Sequence, residues 1–215
     1  MAKSNKQWLR RHVTDHYVRM AKEQGYRSRA AYKLLELDQR EKLFRPGAWV
    51  VDLGAAPGSW SQVAASRVKP GGKVIAVDLL EIAPISNVTV LRGDFREAGL
   101  LQALEGKRAD VILSDVLPNL SGIRNVDQAR AAELSFAAMD FCQKALKSGG
   151  VFVLKAFQGE AFEDVLERLK RDFGKVNVRK PEASRDESRE TYVVARNPRK
   201  MDGSQSESPK TGVSH

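Results

Sequence analysis

Residues 49–60 read Trp49-Val50-Val51-Asp52-Leu53-Gly54-Ala55-Ala56-Pro57-Gly58-Ser59-Trp60. The first five are apolar apart from one aspartate and show no alternation, which is the pattern of a short strand buried on both faces. A turn of small residues follows, then a helical stretch SWSQVAASRV (59–68) that stops at Pro70-Gly71-Gly72. Strand, tight turn and helix form the opening unit of an open α/β sheet, where ligands sit beyond the carboxyl ends of the strands. Gly54 and Gly58 allow close backbone approach at that point. The turn is neither GxGxxG nor GxxxxGK[ST], so a dinucleotide fingerprint fits poorly and a nucleotide-phosphate loop is disfavoured.

The pattern repeats outward. KVIAVDL (73–79), VTVLRGD (88–94), ADVILSD (109–115) and VFVLKAF (151–157) read as further strands. VDQARAAELSFAAMDFCQKALK (126–147) reads as a long helix closed by Gly149-Gly150, and EAFEDVLERLKRDF (160–173) as another. Apolar strands alternating with helices predict a mostly parallel sheet with helices on both faces. KVNVRK (175–180) and ETYVVARN (190–197) have only nine residues between them and no helical pattern there, so an antiparallel pair at one edge is expected. Upstream, RAAYKLLELDQREKL (29–43) has helical spacing, with Ser28 as the expected N-cap and Pro46-Gly47 as the stop.

The chain has 215 residues and a net charge of +9, with 42% apolar and 29% charged residues. That fits one soluble domain, expected at 26–200, with a basic arm at 1–25 and a disordered tail at 201–215. No apolar run nears the ~20 residues a bilayer span needs, and the N-terminus lacks a signal-like apolar stretch. Cys142 is the one cysteine, so neither an intramolecular disulfide nor a cysteine zinc cluster can form. A cytoplasmic protein without metal or membrane partner, and a monomer, is expected. Twelve Lys/Arg against five Asp/Glu fall in residues 1–45, a clustered positive field suited to phosphate backbones. Arg10, Arg11, Arg19, Lys22, Arg27, Arg29 and Lys33 would line such a surface, extended by Lys180, Arg185 and Arg189.

Chemistry-bearing residues stand at successive strand tips. Asp78 ends the second strand, where a carboxylate can accept from both hydroxyls of an adenosine ribose. Asp94 follows the third, where it can take an adenine amino group while Phe95 covers the ring. Asp115 ends the fourth strand and Lys155 the fifth, while Glu190 begins the last. Lys155 inside an apolar run demands explanation, because a buried ammonium needs carboxylate partners or must give up its charge. Asp115 and Glu190 are the partners at hand, and a purely structural ion-pair network would account for the same pattern. Lys33, on the early basic helix, reads by itself as a solvated lysine.

RSRAAYKL (27–34), VVDLGAAPGSWSQ (50–62), GDFRE (93–97), SDVLPNLSG (114–122), VLKAFQGE (153–160) and VRKPEASRDESRETYVVA (178–195) together resemble the RrmJ/FtsJ type of ribose 2′-O-methyltransferases. The likeness runs over about residues 25–196 and is close to the short bacterial members, which modify 23S ribosomal RNA. It implies a Rossmann-like methyltransferase fold with a seven-stranded sheet and S-adenosyl-L-methionine as cofactor. It implies a catalytic tetrad of Lys33, Asp115, Lys155 and Glu190. It also implies cofactor contacts at Gly58, Trp60, Asp78, Asp94 and Asp115, beside the Gly54 of the turn. The acceptor it implies is a uridine of the large subunit RNA. Two residues depart from the family pattern: Ser59, where a second glycine is usual, and Leu117, where a small residue is usual. Neither removes a functional group. Competing readings are a tRNA or mRNA-cap 2′-O-methyltransferase, and a non-catalytic ribosome-assembly factor that keeps the fold. The second predicts a broken tetrad or cofactor turn.

Overall fold

The computed structural model describes residues 16–97, 99–119, 121–185 and 188–199. Residues 1–15 of the expected arm, Arg10 and Arg11 among them, and the expected tail at 201–215 lie outside the described residues. Helices α1 (His16–Glu23) and α2 (Ala30–Glu41) come first. Then follow β1 (Trp49–Leu53), α3 (Ser59–Arg67), β2 (Lys73–Asp78), β3 (Val88–Arg92), the short α4 (Gly99–Ala103) and β4 (Ala109–Ser114). The chain continues through α5 (Arg124–Ala145), β5 (Leu146–Phe157), α6 (Glu160–Asp172), β6 (Phe173–Arg179) and β7 (Glu190–Pro198).

The strands form one seven-stranded sheet in the order β3-β2-β1-β4-β5-β7-β6. The first five are parallel neighbours, and β7 runs antiparallel to both β5 and β6, as the edge pair was expected to. Side chains alternate across each strand, so the central strands feed two cores. Val51, Leu53, Ile112, Phe152 and Leu154 pack on one face under α5 and α6. Val50, Val74, Leu113, Val153 and Tyr192 pack on the other with Leu34 and Leu37 of α2 and Val63 of α3. Helices on both faces are therefore required to cover apolar residues that point both ways.

Three local expectations are corrected. Ser28 is not the N-cap of α2: Arg29 holds that position without a side-chain bond, while the Ser28 hydroxyl accepts from Ala30 N–H at 3.2 Å. Helix α5 ends at Ala145 rather than at the glycine pair, and β5 begins at Leu146. Leu146 pairs with Ala109, the register then shifts, and Val151 pairs with Val111. Gly149, at φ 77°, and Gly150 sit in that irregularity, where a Cβ on Gly150 would lie 2.7 Å from the Leu146 side chain. The glycines thus serve a bulge within the strand, not a helix cap. The described end of the arm forms α1, with Tyr17, Met20 and Ala21 on its packed face; the short α4 carried no clear periodic signal.

Phe152 is fully buried and stacks on Phe173, with ring centroids 6.0 Å apart. Phe152→Ala removes that contact and leaves a void between β5 and β6. It is expected to lower stability by about 3–5 kcal/mol, read from urea midpoints.

Candidate active site

Strand β1 lies between β2 and β4, so the chain leaves it in both directions and a crevice opens beyond its carboxyl end. Asp52, Gly54, Ala55, Pro57, Trp60 and Asp115 line that crevice. Gly54 has φ +70°, and a Cβ there would lie 2.6 Å from Val116 Cγ2, so the turn needs glycine for both conformation and space. Gly58, at φ +105°, is pressed between Ile85 and Arg27 in the same way. The backbone N–H groups of Gly54 and Ala55 both donate to Val77 O, which pins the turn against β2.

Sheet register assembles the polar cluster beside this crevice. Ser114 is the parallel partner of Leu154, which places Asp115 next to Lys155 one residue further on. Lys155 is in turn the antiparallel partner of Tyr192, and Phe157 of Glu190. Alternation puts the Lys155 side chain on the face of Val151 and Val153, the face covered by α2. The Lys155 ammonium is 6% exposed as a residue and bonds Asp115 Oδ1 at 2.8 Å and Asp115 O at 2.8 Å. From α2, Lys33 reaches across to an ion pair with Glu190 Oε1, both side chains being mostly covered. The Lys33 ammonium also lies 5.8 Å from the Tyr192 ring centroid. Lys33, Asp115, Lys155 and Glu190 therefore gather around one tyrosine.

Tyr192 was not singled out by sequence. It is fully buried, donates from its hydroxyl to Asp115 Oδ1 at 3.4 Å and packs against Trp60 at 5.7 Å between centroids. Burial, then the charges of Asp115 and Glu190, hold its phenol far above the ordinary range, so it stays a neutral donor. Its signal was available: in a strand, position 192 shares a face with 190.

Asp52 was also passed over, though an aspartate inside WVVDL is as unexpected as a lysine inside VFVLKAF. It is completely buried; Ser61 Oγ donates to Oδ2 at 2.6 Å, and Oδ1 has no hydrogen-bond partner although Asp52 lines the crevice. Desolvation pushes its pKa to about 7, opposed by the Ser61 hydroxyl and assisted by the charges of Asp115 and Asp78. A crevice with Asp52 and Asp115 in its wall, one acidic oxygen still lacking a donor, suits a small ligand bearing positive charge.

The other expected contacts are placed differently. Trp60 lines the crevice, but its indole N–H is spent on Ala30 O at 2.8 Å. Asp78 holds the turn and its own loop, accepting from Ala56 N–H at 2.9 Å and Leu80 N–H at 2.8 Å. Asp94 accepts from Arg96 at 2.9 and 3.0 Å, which keeps its carboxyl below the usual range. Phe95 is buried in the core with Leu100. Of the two departures, Ser59 bonds Ser28 hydroxyl to hydroxyl at 2.7 Å, and Leu117 is 53% exposed. Two cations expected to face phosphate are turned inward. Arg27 donates to main-chain carbonyls, and Arg29 donates to Ala183 O and lies 5.4 Å from the centre of the Tyr17 ring. Arg19, Lys22, Lys180, Arg185 and Arg189 remain exposed.

Comparison with known proteins places this geometry. The FtsJ-like methyltransferase family matches residues 26–198. Ribosomal RNA large subunit methyltransferase E of Nitrosomonas eutropha is 50% identical over 197 residues, covering 90% of this chain and 96% of that one. The protein of the same name from Alkalilimnicola ehrlichii is 51% identical over 196 residues, covering 89% and 94%. Among solved structures, a Plasmodium falciparum protein described as a ribosomal RNA methyltransferase superposes with a TM-score of 0.73 at 32% identity, covering 80% of this chain and 98% of that one. A Streptococcus mutans protein crystallised with S-adenosylhomocysteine shares the fold, with a TM-score of 0.52 at 14% identity, covering 77% and 97%.

The folded pKa of Asp52, about 7, lies above the ordinary 3.8, so the fold favours the protonated acid. Its contribution is complete below about pH 4 and falls as pH rises toward 7, because only the unfolded chain ionises freely there. The full span is about 2–4 kcal/mol. Asp52→Asn should remove this slope, gaining stability over the parent at pH 8 and little or none at pH 4.5. Urea midpoints at the two pH values check it; a difference independent of pH would refute a neutral Asp52.

Proposed function

Because this chain belongs to the FtsJ-like methyltransferase family, we propose that it transfers a methyl group from S-adenosyl-L-methionine to the 2′-hydroxyl of a uridine in 23S ribosomal RNA. The observation that carries the reading is the buried Lys155 ammonium, held by Asp115 at the rim of an acidic crevice. The names of the relatives at about half identity point to large-subunit RNA as the acceptor.

The crevice fits the cofactor by the chemistry of its walls. The backbone from Gly54 to Pro57 lines the crevice, and the unpartnered Asp52 oxygen can accept from a cationic amino-acid end. Asp78 stands at the tip of β2, where a ribose is held in sheets of this kind. When bound, the cofactor supplies a methyl on a sulfonium whose leaving group is a neutral thioether. A ribose hydroxyl is a very weak acid, so the chain's task is to align it and take its proton. The hydroxyl proton would pass to Lys155 Nζ as the oxygen is methylated. Lys155 accepts it only as the uncharged amine, so the ammonium paired with Asp115 must first release its own proton. Asp115 aims that nitrogen through its side chain and its own carbonyl, and Tyr192 keeps Asp115 in place. Lys33, steadied by Glu190, supplies positive charge beside the developing oxyanion.

The test is tritiated-methyl transfer to intact large subunits and to naked 23S RNA, followed by nucleoside analysis. The label should appear in 2′-O-methyluridine; label on a base would overturn the reading. Lys155→Ala should lose turnover while cofactor affinity stays within about twofold, and Lys155→Arg should fail too, because a guanidinium does not deprotonate at working pH. Near-normal turnover in either variant removes Lys155 from the mechanism. Tyr192→Phe deletes one hydrogen bond, worth about 0.5–1.5 kcal/mol, and should lower kcat about two- to tenfold with little change in KM for cofactor.

A further inference from the structure

Arg27 ties together three parts of the molecule that the proposed reaction uses separately. Its Nη1 donates to Pro57 O at 2.8 Å, in the turn after β1. Its Nη2 donates to Pro84 O at 2.9 Å, in the loop between β2 and β3. Pro57 lines the crevice, while Pro84 and Ile85 pack behind the turn with Arg27, where the missing Cβ of Gly58 leaves room for both Ile85 and the guanidinium. Arg27 N–H in turn donates to Gln62 Oε1 at 2.9 Å, and Gln62 Nε2 returns a bond to Gly25 O at 3.0 Å. Ser28 bonds Ser59, and Trp60 Nε1 bonds Ala30 O. Residues 25–30 are thus laced to the cofactor turn and to the first turn of α3. They run without a break into α2, which carries Lys33 one turn beyond Ala30.

We infer that Arg27 is a positioning residue that couples cofactor occupancy to RNA affinity. The inference rests on the function proposed above. A cofactor seated in the crevice orders the turn that Arg27 braces against the Pro84 loop. The entry to α2 is then fixed before RNA arrives, so RNA pays less to order Lys33 and the exposed cations of α1. Such coupling is reciprocal: RNA must tighten cofactor binding by the same factor. A guanidinium suits this role because its planar fork presents donors on separate nitrogens to two separated carbonyls, whereas an ammonium presents its three donors from one atom.

The experiment measures the dissociation constant of a 23S RNA transcript with and without saturating S-adenosylhomocysteine, for the parent, Arg27→Lys and Arg27→Ala. No turnover occurs, so the result does not depend on where the methyl lands. The parent should bind RNA about fivefold or more tightly with the product present, a typical coupling. The ratio should fall below about twofold in Arg27→Ala and lie between in Arg27→Lys. A variant that is merely less well folded weakens binding in both conditions and leaves the ratio alone. A thermal melt confirms folding; if Arg27→Ala fails to fold, the Arg27→Lys ratio decides. A ratio of one in the parent, or equal ratios in the parent and the variants, overturns the inference. Ribose methylation by a parent protein that shows no coupling would leave the proposed function standing and this inference refuted.

Discussion

A charged amine inside a protein costs several kcal/mol unless a partner comes with it. The Lys155–Asp115 pair meets that demand, and much of the upper end of the sheet is arranged around it. Parallel pairing of Ser114 with Leu154 sets Asp115 beside Lys155. Antiparallel pairing of Lys155 with Tyr192 brings a buried phenol to the other side, two residues from Glu190. One residue of slip in either strand would send these side chains to the opposite face, into the apolar core under α5 and α6. The apolar register of the core and the polar geometry of the site are thus the same constraint seen twice.

The sheet divides its work by face. Under α5 and α6 it buries an almost purely apolar layer, including Leu154, Ala156 and Val193. Under α2 and α3 it carries the polar residues: Asp52, Lys155 and Tyr192, each standing among valines and leucines. Helix α2 is the cover that completes this face, because it brings both Leu34 for the core and Lys33 for Glu190. Its attachment to the glycine turn through Arg27, Ser28 and Ala30 means that the acceptor side and the cofactor side share one set of hydrogen bonds.

Much of this was legible in the chain. Apolar runs of strand length, separated by helical periods, announced an α/β sheet with its ligand end at Gly54. Asp115 and Glu190 were visible as charges at strand tips and Lys155 as a type out of place, whereas Lys33 entered the site only through the family resemblance. Asp52 and Tyr192 carried the same kind of signal, a polar group in an apolar strand, and were not read. Gly149-Gly150 reads as a helix stop in the sequence and forms a bulge in the structure, since a glycine pair looks alike in either setting.

What the sequence alone determined is therefore the local part: element types, the face each residue takes, and which groups are too polar for their surroundings. Which partner each group finds was decided only by the tertiary structure. Arg27 and Arg29 read as phosphate contacts but donate to carbonyls far along the chain. Asp94 read as an acceptor at a strand tip, and the fold gives it Arg96 as a partner. The reason is physical: periodicity follows from backbone geometry within a few residues, whereas ion pairs and strand registers join residues tens of positions apart. Their choice depends on how the whole core packs.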